Sequence, residues 1–376
     1  MCIEDGGKSH GLFLLNSNAM EYTLLRAPAL RLTTIGGVLD FFLFVGDNPT
    51  HVAQLYSDLI GRPFMPPYWA LGFQLSKYGY ESFKQLRRVI SRNREARIPM
   101  DVQYLDIDYM DNSKAFTVSN ETYKNLGSYV THIHQTTGLR FVVNLTPALL
   151  GNSSTNPAFA RGKASDVFVT WPTISSLDAR SNPPNVPSTN RIMLGRLWPC
   201  GPVAYVDFFR SNTKSWWAKE LEKFKKLIDF DGIWMDMNEP AEFSDNQDAV
   251  PPDVVKACFG DWKMTCPNSI FDDPPYPTPT IYGSDKRLND RTLCMVGEHG
   301  DNDKYFHYDV HSLYGWSESV VTHEALEDLM KHRPLLISRS TYPSSGRYTG
   351  HWLGDNHSKW ADLRQSIIGT LCFYSA

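Results

Sequence analysis

A strand-then-helix pattern repeats from a proline-rich stretch at 63–67 to the C-terminus, and it constrains the fold more than any other feature of the sequence. Strands are predicted where short apolar runs stand between turn signals, and helices where apolar residues recur every three or four positions. The predicted strands are 70–75, 102–105, 140–145, 232–235, 335–338 and an extended segment at 347–353. This many alternating units form a parallel sheet and favour a (β/α)8 barrel over a doubly wound sheet.

The same stretch of prolines predicts a boundary between two domains. Residues 1–62 contain β-prone runs followed by one amphipathic helix, and residues 63–376 contain the alternating pattern. Two stretches rich in Pro, Ser, Asn or Asp interrupt that pattern at about 149–212 and 243–308. Because both are too long for simple loops, we predict that they are insertions between units of the barrel.

Composition excludes two classes of protein. The 37 Lys and Arg nearly balance the 41 Asp and Glu, whereas a nucleic-acid binder needs a basic face for the phosphates. No apolar run reaches the roughly 18–20 residues of a membrane-spanning helix, because Asp40 interrupts the best candidate. With 42% hydrophobic residues, a globular protein is expected.

Cysteines and sequons bear on the compartment. The six cysteines form no C-x-x-C pair and are too scattered for a disulfide scaffold, so the sequence predicts neither a zinc site nor a redox site from them. N-x-[ST] sequons stand at Asn120, Asn144, Asn152 and Asn356 and suggest a secreted or lumenal protein. The N-terminus, however, lacks the basic start and apolar stretch of a signal peptide.

Carboxylates follow three of the predicted strands, at the end where barrels place their chemistry. Asp106 and Asp108 follow the second strand, Asp236 and Glu239 the fourth, and Asp355 the last extended segment. A charge directly after an apolar strand is costly to desolvate unless it is used or paired. Four tryptophans are expected near the same end: Trp69, Trp198, Trp234 and Trp352. Carboxylates beside aromatic faces suggest a sugar site, and two carboxylates can cleave a glycosidic bond.

Other interpretations of these residues remain open. An Asp after a strand is often only the N-cap of the next helix, and supporting roles explain Glu239 and Asp108 better than catalytic ones. His307 and His311 have the i, i+4 spacing of a metal pair. They stand in a loop without an H-E-x-x-H helix, however, so buried hydrogen-bonding histidines explain them better than a metal pair.

Residues 232–240, GIWMDMNEP, resemble the W-x-D-M-N-E signature of glycoside hydrolase family 31. Supporting motifs are spread over nearly the whole chain: NSNAM at 16–20, PPYWALGF at 66–73, DIDYM at 106–110, RST at 339–341 and the segment from 344 into Gly354-Asp355-Asn356. The resemblance implies a retaining α-glucosidase without a cofactor or a metal, which releases terminal glucose from maltose, malto-oligosaccharides or glycogen.

Site residues follow from the resemblance position by position. Asp236 matches the catalytic nucleophile and Asp355 the general acid/base, while Asp106 and Arg339 match residues that bind sugar hydroxyls. The lining of the first subsite is matched by Ile107, Trp234, Met237, Trp198, Trp352, Phe243 and Tyr78. Double displacement with retention requires the two catalytic carboxyl groups to lie about 5–5.5 Å apart.

The resemblance also bears on the compartment and the extent of the chain. Cys266 and Cys294 resemble a disulfide pair, which implies a lysosomal, extracellular or cell-surface protein. Once the insertions are subtracted, the chain leaves room for five or six βα units at about 31 residues each. We therefore expect an incomplete barrel, with residues 1–62 as the end of a β-sandwich domain and a linker helix. The alternative hypothesis is a non-catalytic or weakly sugar-binding fragment of such an enzyme. A third hypothesis is metal-dependent hydrolysis through His307 and His311.

Overall fold

The computed structural model describes residues 1–26, 29–172, 191–244, 251–274, 287–330 and 332–373. Its strands are β1 (Cys2–Ile3), β2 (Ser9–Leu15), β3 (Met20–Leu24), β4 (Leu30–Thr34), β5 (Asp40–Gly46), β6 (Gln74–Leu75), β7 (Val102–Leu105), β8 (Arg140–Leu145), β9 (Ala148–Leu150), β10 (Leu194–Gly195), β11 (Val203–Tyr205), β12 (Gly232–Met235), β13 (Glu298–His299), β14 (Tyr305–Phe306), β15 (Leu335–Ser338) and β16 (Gly350–His351). Its helices are α1 (Pro49–Ile60), α2 (Phe83–Glu95), α3 (Leu126–Thr137), α4 (Pro157–Ala164), α5 (Ser211–Leu227), α6 (Pro252–Phe259), α7 (His307–Val310), α8 (Tyr314–Met330) and α9 (Trp360–Phe373).

Six of these strands form one parallel sheet in the order β16-β15-β12-β8-β7-β6. Strands that are adjacent in this sheet also follow one another along the chain as successive barrel units. Helices such as α2, α3, α5 and α8 lie between them in the sequence. This arrangement fits a partial (β/α) barrel and confirms the parallel sheet that the sequence pattern predicts. None of the described helices is long and apolar enough to span a membrane.

Side chains on the two faces of the central strands belong to two different apolar clusters. Val102, Tyr104, Val142, Trp234 and Leu335 pack together on one face of the sheet. The alternate residues of the same strands, from Leu105 to Met235, join the larger cluster that includes buried residues of the connecting helices. Since successive side chains of a strand point to opposite faces, the first cluster fills the inside of the sheet and the second the space beneath the helices.

Local signals explain where several helices begin and end. Asn48 and Ser82 cap α1 and α2 by accepting hydrogen bonds from the backbone of His51 and Gln85, which satisfies amide groups that a helix start leaves unpaired. Helix α3 ends at Gly138, whose φ of 74° is in the left-handed region that glycine adopts without strain.

The N-terminal strands form two antiparallel sheets, β1-β2-β5 and β3-β4. Asn18 Nδ2 donates to Asp309 Oδ1 at 3.0 Å, and the Tyr342 hydroxyl donates to the backbone oxygen of Asn16 at 2.8 Å. These contacts attach the segment around residues 16–18 to two parts of the chain that follow β14 and β15.

Two disulfides lie in the stretches that the sequence predicts to be insertions. Cys266 is bonded to Cys294, the pair that the family resemblance implies, and Cys200 is bonded to Cys258, a pair that the sequence interpretation did not include. The second bond joins one insertion to the other, because Cys200 follows β10 and Cys258 lies in α6. The insertions are also less irregular than their composition suggests, since they contain β9–β11, α4 and α6.

The first strand of the sheet is shorter than predicted. Residues 68–71 form a single 3-10 turn, and only Gln74 and Leu75 pair with β7. The apolar run at 70–75 resembles a strand, but Pro67 directly precedes the turn and Gly72 ends it. Proline favours such turn starts because its φ is already restricted.

Candidate active site

Four polar side chains lie on the inner face of the sheet because of strand periodicity. Tyr104, Val142, Trp234 and Ile337 belong to the inner cluster. The residues two positions further along the four strands are Asp106, Asn144, Asp236 and Arg339. Since residues two apart in a strand share a face, these four side chains converge at the C-terminal end of the sheet.

Asp236 is held in place by its neighbours on both sides. Its Oδ2 accepts a hydrogen bond of 3.1 Å from Asn144 Nδ2 on β8, and its backbone N–H donates to the Leu145 oxygen at 2.9 Å. Arg339 Nη1 lies 3.0 Å from Asp236 Oδ1 in an ion pair that lacks hydrogen-bond alignment. Asp236 is 6% exposed, so burial raises its pKa, while the charge of Arg339 and the Asn144 amide act in the opposite direction.

Arg339 is itself fixed by a second carboxylate. Its Nε and Nη2 donate to the two oxygens of Glu239, both at 2.8 Å, in the bidentate geometry that guanidinium and carboxylate groups favour. Between the two acids, Met237 has a φ of 60°, an uncommon conformation for a residue with a side chain. This turn allows both Asp236 and Glu239 to face the same arginine.

Asp106 follows β7, two strands away from β12 in the sheet, and it feels the charges of both predicted catalytic acids. Its side chain accepts a hydrogen bond of 2.7 Å from the Ile107 N–H. Burial raises the pKa of Asp106 to about 7, and the negative charges of Asp236, Asp108 and Asp355 add to that rise. The Asp355 side chain is exposed to solvent, on the segment that follows β16.

Asp106, Asp236, Arg339 and Asp355 line one cleft of about 680 Å³. Nine of the residues that the sequence analysis assigns to the site line it: Tyr78, Asp106, Ile107, Trp198, Trp234, Asp236, Arg339, Trp352 and Asp355. The rings of Trp234 and Trp352 are stacked, with centroids 4.0 Å apart and planes at 22°. Carboxylates beside flat aromatic rings are the arrangement that the sequence at the strand ends predicts.

Met237 and Phe243 do not line this cleft, although the resemblance places both in the first subsite. Met237 is 3% exposed and Phe243 is 8% exposed, and both belong to the large apolar cluster. Phe243 packs edge-on against Trp198 with ring centroids 4.8 Å apart. Phe243 therefore supports a wall of the cleft through Trp198, and Met237 is buried by the turn that follows Asp236.

Sequence reasoning missed Asn144 as part of the site. It was noted only as a sequon, yet its amide contacts the predicted nucleophile. A signal was available, because Asn144 is the polar residue within the apolar strand RFVVNL. Glu239 was assigned a supporting position, and its bidentate contact with Arg339 agrees with that assignment. Lys77 and His357 also line the cleft and carry no sequence signal that we recognise.

Of the two histidines with metal-pair spacing, His307 belongs to a hydrogen-bonded cluster, and His311 lies against it with ring centroids 4.9 Å apart. His307 is fully buried, with its Nδ1 3.0 Å from His299 Nε2, and His299 Nδ1 is 3.1 Å from Asp207 Oδ1. Burial lowers the pKa of His307 well below its usual value and that of His311 to about 4. Within the described ranges, His, Cys, Asp and Glu side chains form no group of three or more that could hold a metal ion.

Comparison with known proteins places the chain in a class. Residues 63–375 match the TIM-barrel domain of glycosyl hydrolases family 31, so the chain belongs to this family. It is similar to intestinal sucrase-isomaltase from Homo sapiens, with 41% identity over 397 aligned residues, and to lysosomal alpha-glucosidase from Bos taurus, with 36% over 378. Each alignment includes 99% of this chain but only 20% and 36% of the relative. The chain thus spans about a fifth to a third of the length of these relatives.

Solved structures confirm the fold. A glucosidase II alpha subunit superposes with a TM-score of 0.70 at 23% identity and covers 95% of this chain, which in turn covers 34% of that structure. A family 31 alpha-glucosidase from Bacteroides thetaiotaomicron gives a TM-score of 0.67 at 22% identity, with 99% and 50% coverage. At this level of identity, the likeness concerns the fold alone.

Proposed function

We propose that this chain contains the catalytic centre of a retaining α-glucosidase, with Asp236 as nucleophile and Asp355 as general acid/base. The observation that carries the proposal is the placement of both acids in one cleft, together with Asp106 and Arg339. A nucleophile must be ionised and aimed, and the Arg339 charge and the Asn144 amide supply those two conditions at Asp236.

The reaction would proceed in two displacements. An Asp236 oxygen attacks the anomeric carbon while Asp355 donates a proton to the departing glycosidic oxygen, so the C–O bond to the leaving group breaks as the ester bond forms. Asp355 then removes a proton from water, and the resulting attack releases Asp236 and glucose with the original α configuration. Asp355 is left ionised by the first step, which is the state in which it can act as the base of the second.

A terminal α-linked glucose is the substrate we infer, carried by maltose, malto-oligosaccharides or glycogen. The similarity to proteins named sucrase-isomaltase and lysosomal alpha-glucosidase supports this class. The stacked Trp234 and Trp352 offer apolar surface to the C–H face of a sugar.

We also infer that the protein matures in the secretory pathway, in a lysosomal, extracellular or cell-surface location. Its two disulfides support this location, because disulfides form and persist in oxidising compartments. Relatives whose names call them intestinal or lysosomal are consistent with it.

The decisive experiment is hydrolysis of p-nitrophenyl α-glucoside, with the anomer of the released glucose followed by NMR. We expect α-glucose as the first product. Asp236→Asn should lower kcat about 10⁴-fold or more, because it removes the nucleophile and leaves the cleft intact. A 2-fluoro-glucoside should add the mass of one 2-deoxy-2-fluoroglucosyl group to the parent protein and none to the variant.

Three outcomes would contradict the proposal. β-Glucose as the first product would mean inversion and a different role for Asp236. Binding of malto-oligosaccharide by a folded chain without any turnover would favour the alternative of a non-catalytic, sugar-binding chain. Loss of activity with a chelator would instead point to the metal-dependent alternative.

A further inference from the structure

The four sequons differ sharply in what the fold does with their asparagines. An N-linked glycan is bulky and polar, and it is attached to the side-chain amide nitrogen. A sequon can therefore carry a glycan in the folded protein only if Nδ2 reaches solvent and has no structural task. Asn120, Asn144, Asn152 and Asn356 can each be tested against these two conditions.

Asn144 fails both conditions. It is fully buried in β8, directly opposite Trp234 of β12 in the parallel register. Its Nδ2 donates to Asp236 Oδ2 at 3.1 Å. A sugar on this nitrogen would need space between packed strands, and it would displace the hydrogen bond that orients the carboxylate. Thr146, which completes the sequon, is also buried, at 2% exposure.

Asn152 meets both conditions. It is exposed in the turn that follows β9. Its Oδ1 accepts hydrogen bonds from the Ser154 N–H at 3.0 Å and from the Ser154 hydroxyl at 2.7 Å. Both bonds use the oxygen, so the nitrogen that would carry the glycan takes part in neither of them.

Asn120 is the second accessible position. It is exposed in the turn before α3, and Thr122 of its sequon donates from Oγ1 to the Ser119 hydroxyl at 2.8 Å. The backbone hydrogen bond from Tyr123 to Ser119 holds the same turn without using the Asn120 side chain. A glycan at Asn120 would therefore extend into solvent and leave the contacts of the turn unchanged.

Asn356 is exposed but lines the cleft next to Asp355. A glycan there would occupy the space that a substrate needs. The assignment of Asn356 as unmodified rests on the proposed function, whereas the other three assignments do not.

We propose that Asn120 and Asn152 are the N-glycosylated positions of this protein, and that Asn144 and Asn356 remain unmodified. The donor is a lipid-linked oligosaccharide pyrophosphate of the secretory pathway. In the transfer, Nδ2 forms a bond to the anomeric carbon, the bond from that carbon to the pyrophosphate oxygen breaks, and the amide loses one proton. The two disulfides support passage through the compartment where this transfer occurs.

Glycopeptide mapping of the full chain, secreted from eukaryotic cells behind a leader peptide, tests the proposal. Release of glycans by an amidase in heavy-oxygen water converts each modified Asn to labelled Asp. Trypsin separates Asn120 in peptide 115–124 and Asn356 in peptide 348–359, while Asn144 and Asn152 share peptide 141–161 and are distinguished by fragment ions. We expect label at Asn120 and Asn152 only.

Label at Asn144 in secreted, disulfide-bonded protein would overturn the proposal, as would an unlabelled Asn120 or Asn152. Label at Asn356 in protein that still hydrolyses an α-glucoside would refute only the inference that a glycan at Asn356 fills the space a substrate needs. The expected labels in a chain without activity would leave the glycan assignment standing and count against the proposed function.

Variants give an independent measurement. Asn120→Gln and Asn152→Gln should each remove one glycan, seen as one step in gel mobility, and the double variant should match the enzymatically deglycosylated chain. Thr146→Val is the matched control, because it destroys the Asn144 sequon but retains the Asn144 amide. We expect Thr146→Val to leave the gel mobility unchanged, and a gain in mobility would contradict the proposal.

Discussion

At the scale of residues, Asp236 is a buried carboxylate that depends on one cation for its charge state. Burial alone would favour the protonated form, and Arg339 counters that effect from 3.0 Å. Because Arg339 also donates two hydrogen bonds to Glu239, its position is set before any ligand binds. The charge and the geometry of Arg339 can therefore be separated experimentally.

Arg339→Gln should move the acidic limb of the kcat/KM profile to higher pH. The attacking carboxylate must be ionised, so activity falls as the pH drops through the pKa of Asp236, and removal of the nearby positive charge raises that pKa further. Arg339→Lys is the control, because it keeps the charge and loses the bidentate geometry. Glucosidase assays across the pH range would show the shift. If the acidic limbs of the kcat/KM profiles of Arg339→Gln and the parent coincide, the charge of Arg339 does not set the pKa of Asp236.

Asp106→Asn should raise the unfolding free energy of the chain above that of the parent, and by more at pH 8 than at pH 4. In the folded state the pKa of Asp106 is about 7, above its unfolded value of about 3.9, so the fold favours the protonated form. The stability contribution is fully present below about pH 4 and is lost as the pH rises through about 7. Asparagine remains neutral, and we expect a gain of about 1–2 kcal/mol at pH 8, reduced by partial exposure of the side chain.

Urea unfolding of the parent and Asp106→Asn at pH 4, 6 and 8 would measure this difference. A difference in unfolding free energy that does not change with pH would show that Asp106 titrates normally. Since Asp106 is also assigned to bind the sugar, weaker substrate binding by the variant would be consistent with both roles.

At the scale of elements, the sequence pattern predicted the central strands well and the edges poorly. Strands 102–105, 140–145, 232–235 and 335–338 agree with β7, β8, β12 and β15 residue for residue. These segments are mostly apolar because both faces of the sheet are buried, which is typical of parallel sheets. At the first edge of the sheet, Pro67 and Gly72 outweighed the apolar run and left only two residues of strand.

Gly232→Ala should destabilise the centre of the sheet by about 1–3 kcal/mol. A Cβ at this position would lie 2.6 Å from the backbone oxygen of Leu335, on the strand that pairs with β12, and the backbone there cannot move aside. Gly369→Ala in α9 is the control, since its Cβ would meet only the flexible side chain of Leu353. Alanine in a helix is expected to be neutral or slightly stabilising there.

Urea unfolding curves for both variants would test this prediction. Equal stabilities of Gly232→Ala and the parent would mean that β12 and β15 are further apart than the register indicates. A loss for Gly369→Ala as large as that for Gly232→Ala would also contradict the steric argument.

At the scale of the whole molecule, the disulfide between Cys200 and Cys258 connects the two stretches that the sequence predicts to be insertions. The bond closes a loop with a sequence separation of 58 residues. Such a cross-link stabilises mainly by limiting the unfolded chain, and the effect grows with the length of the loop. The Cys266–Cys294 bond spans 28 residues within a single insertion and is a more local restraint.

The double variant Cys200→Ser/Cys258→Ser should lose about 4 kcal/mol of unfolding free energy. Cys2→Ser is the control, because Cys2 is exposed and forms no disulfide. Chemical denaturation under non-reducing conditions would measure both variants. A double variant as stable as Cys2→Ser would mean that the insertions are held by packing alone.

Motifs read along the chain determined the family, the acids and the strands that carry them, because those features depend on short-range order and on residue types. Tertiary structure alone decided which side chains meet: Asn144 contacts Asp236 across a strand pair, 92 residues away in sequence, and Cys200 meets Cys258 across two insertions. It also buried Met237 and Phe243, which the family motif had placed in the cleft. Periodicity predicts the direction of a side chain within its own strand, whereas its partner is chosen by the register and packing of other strands.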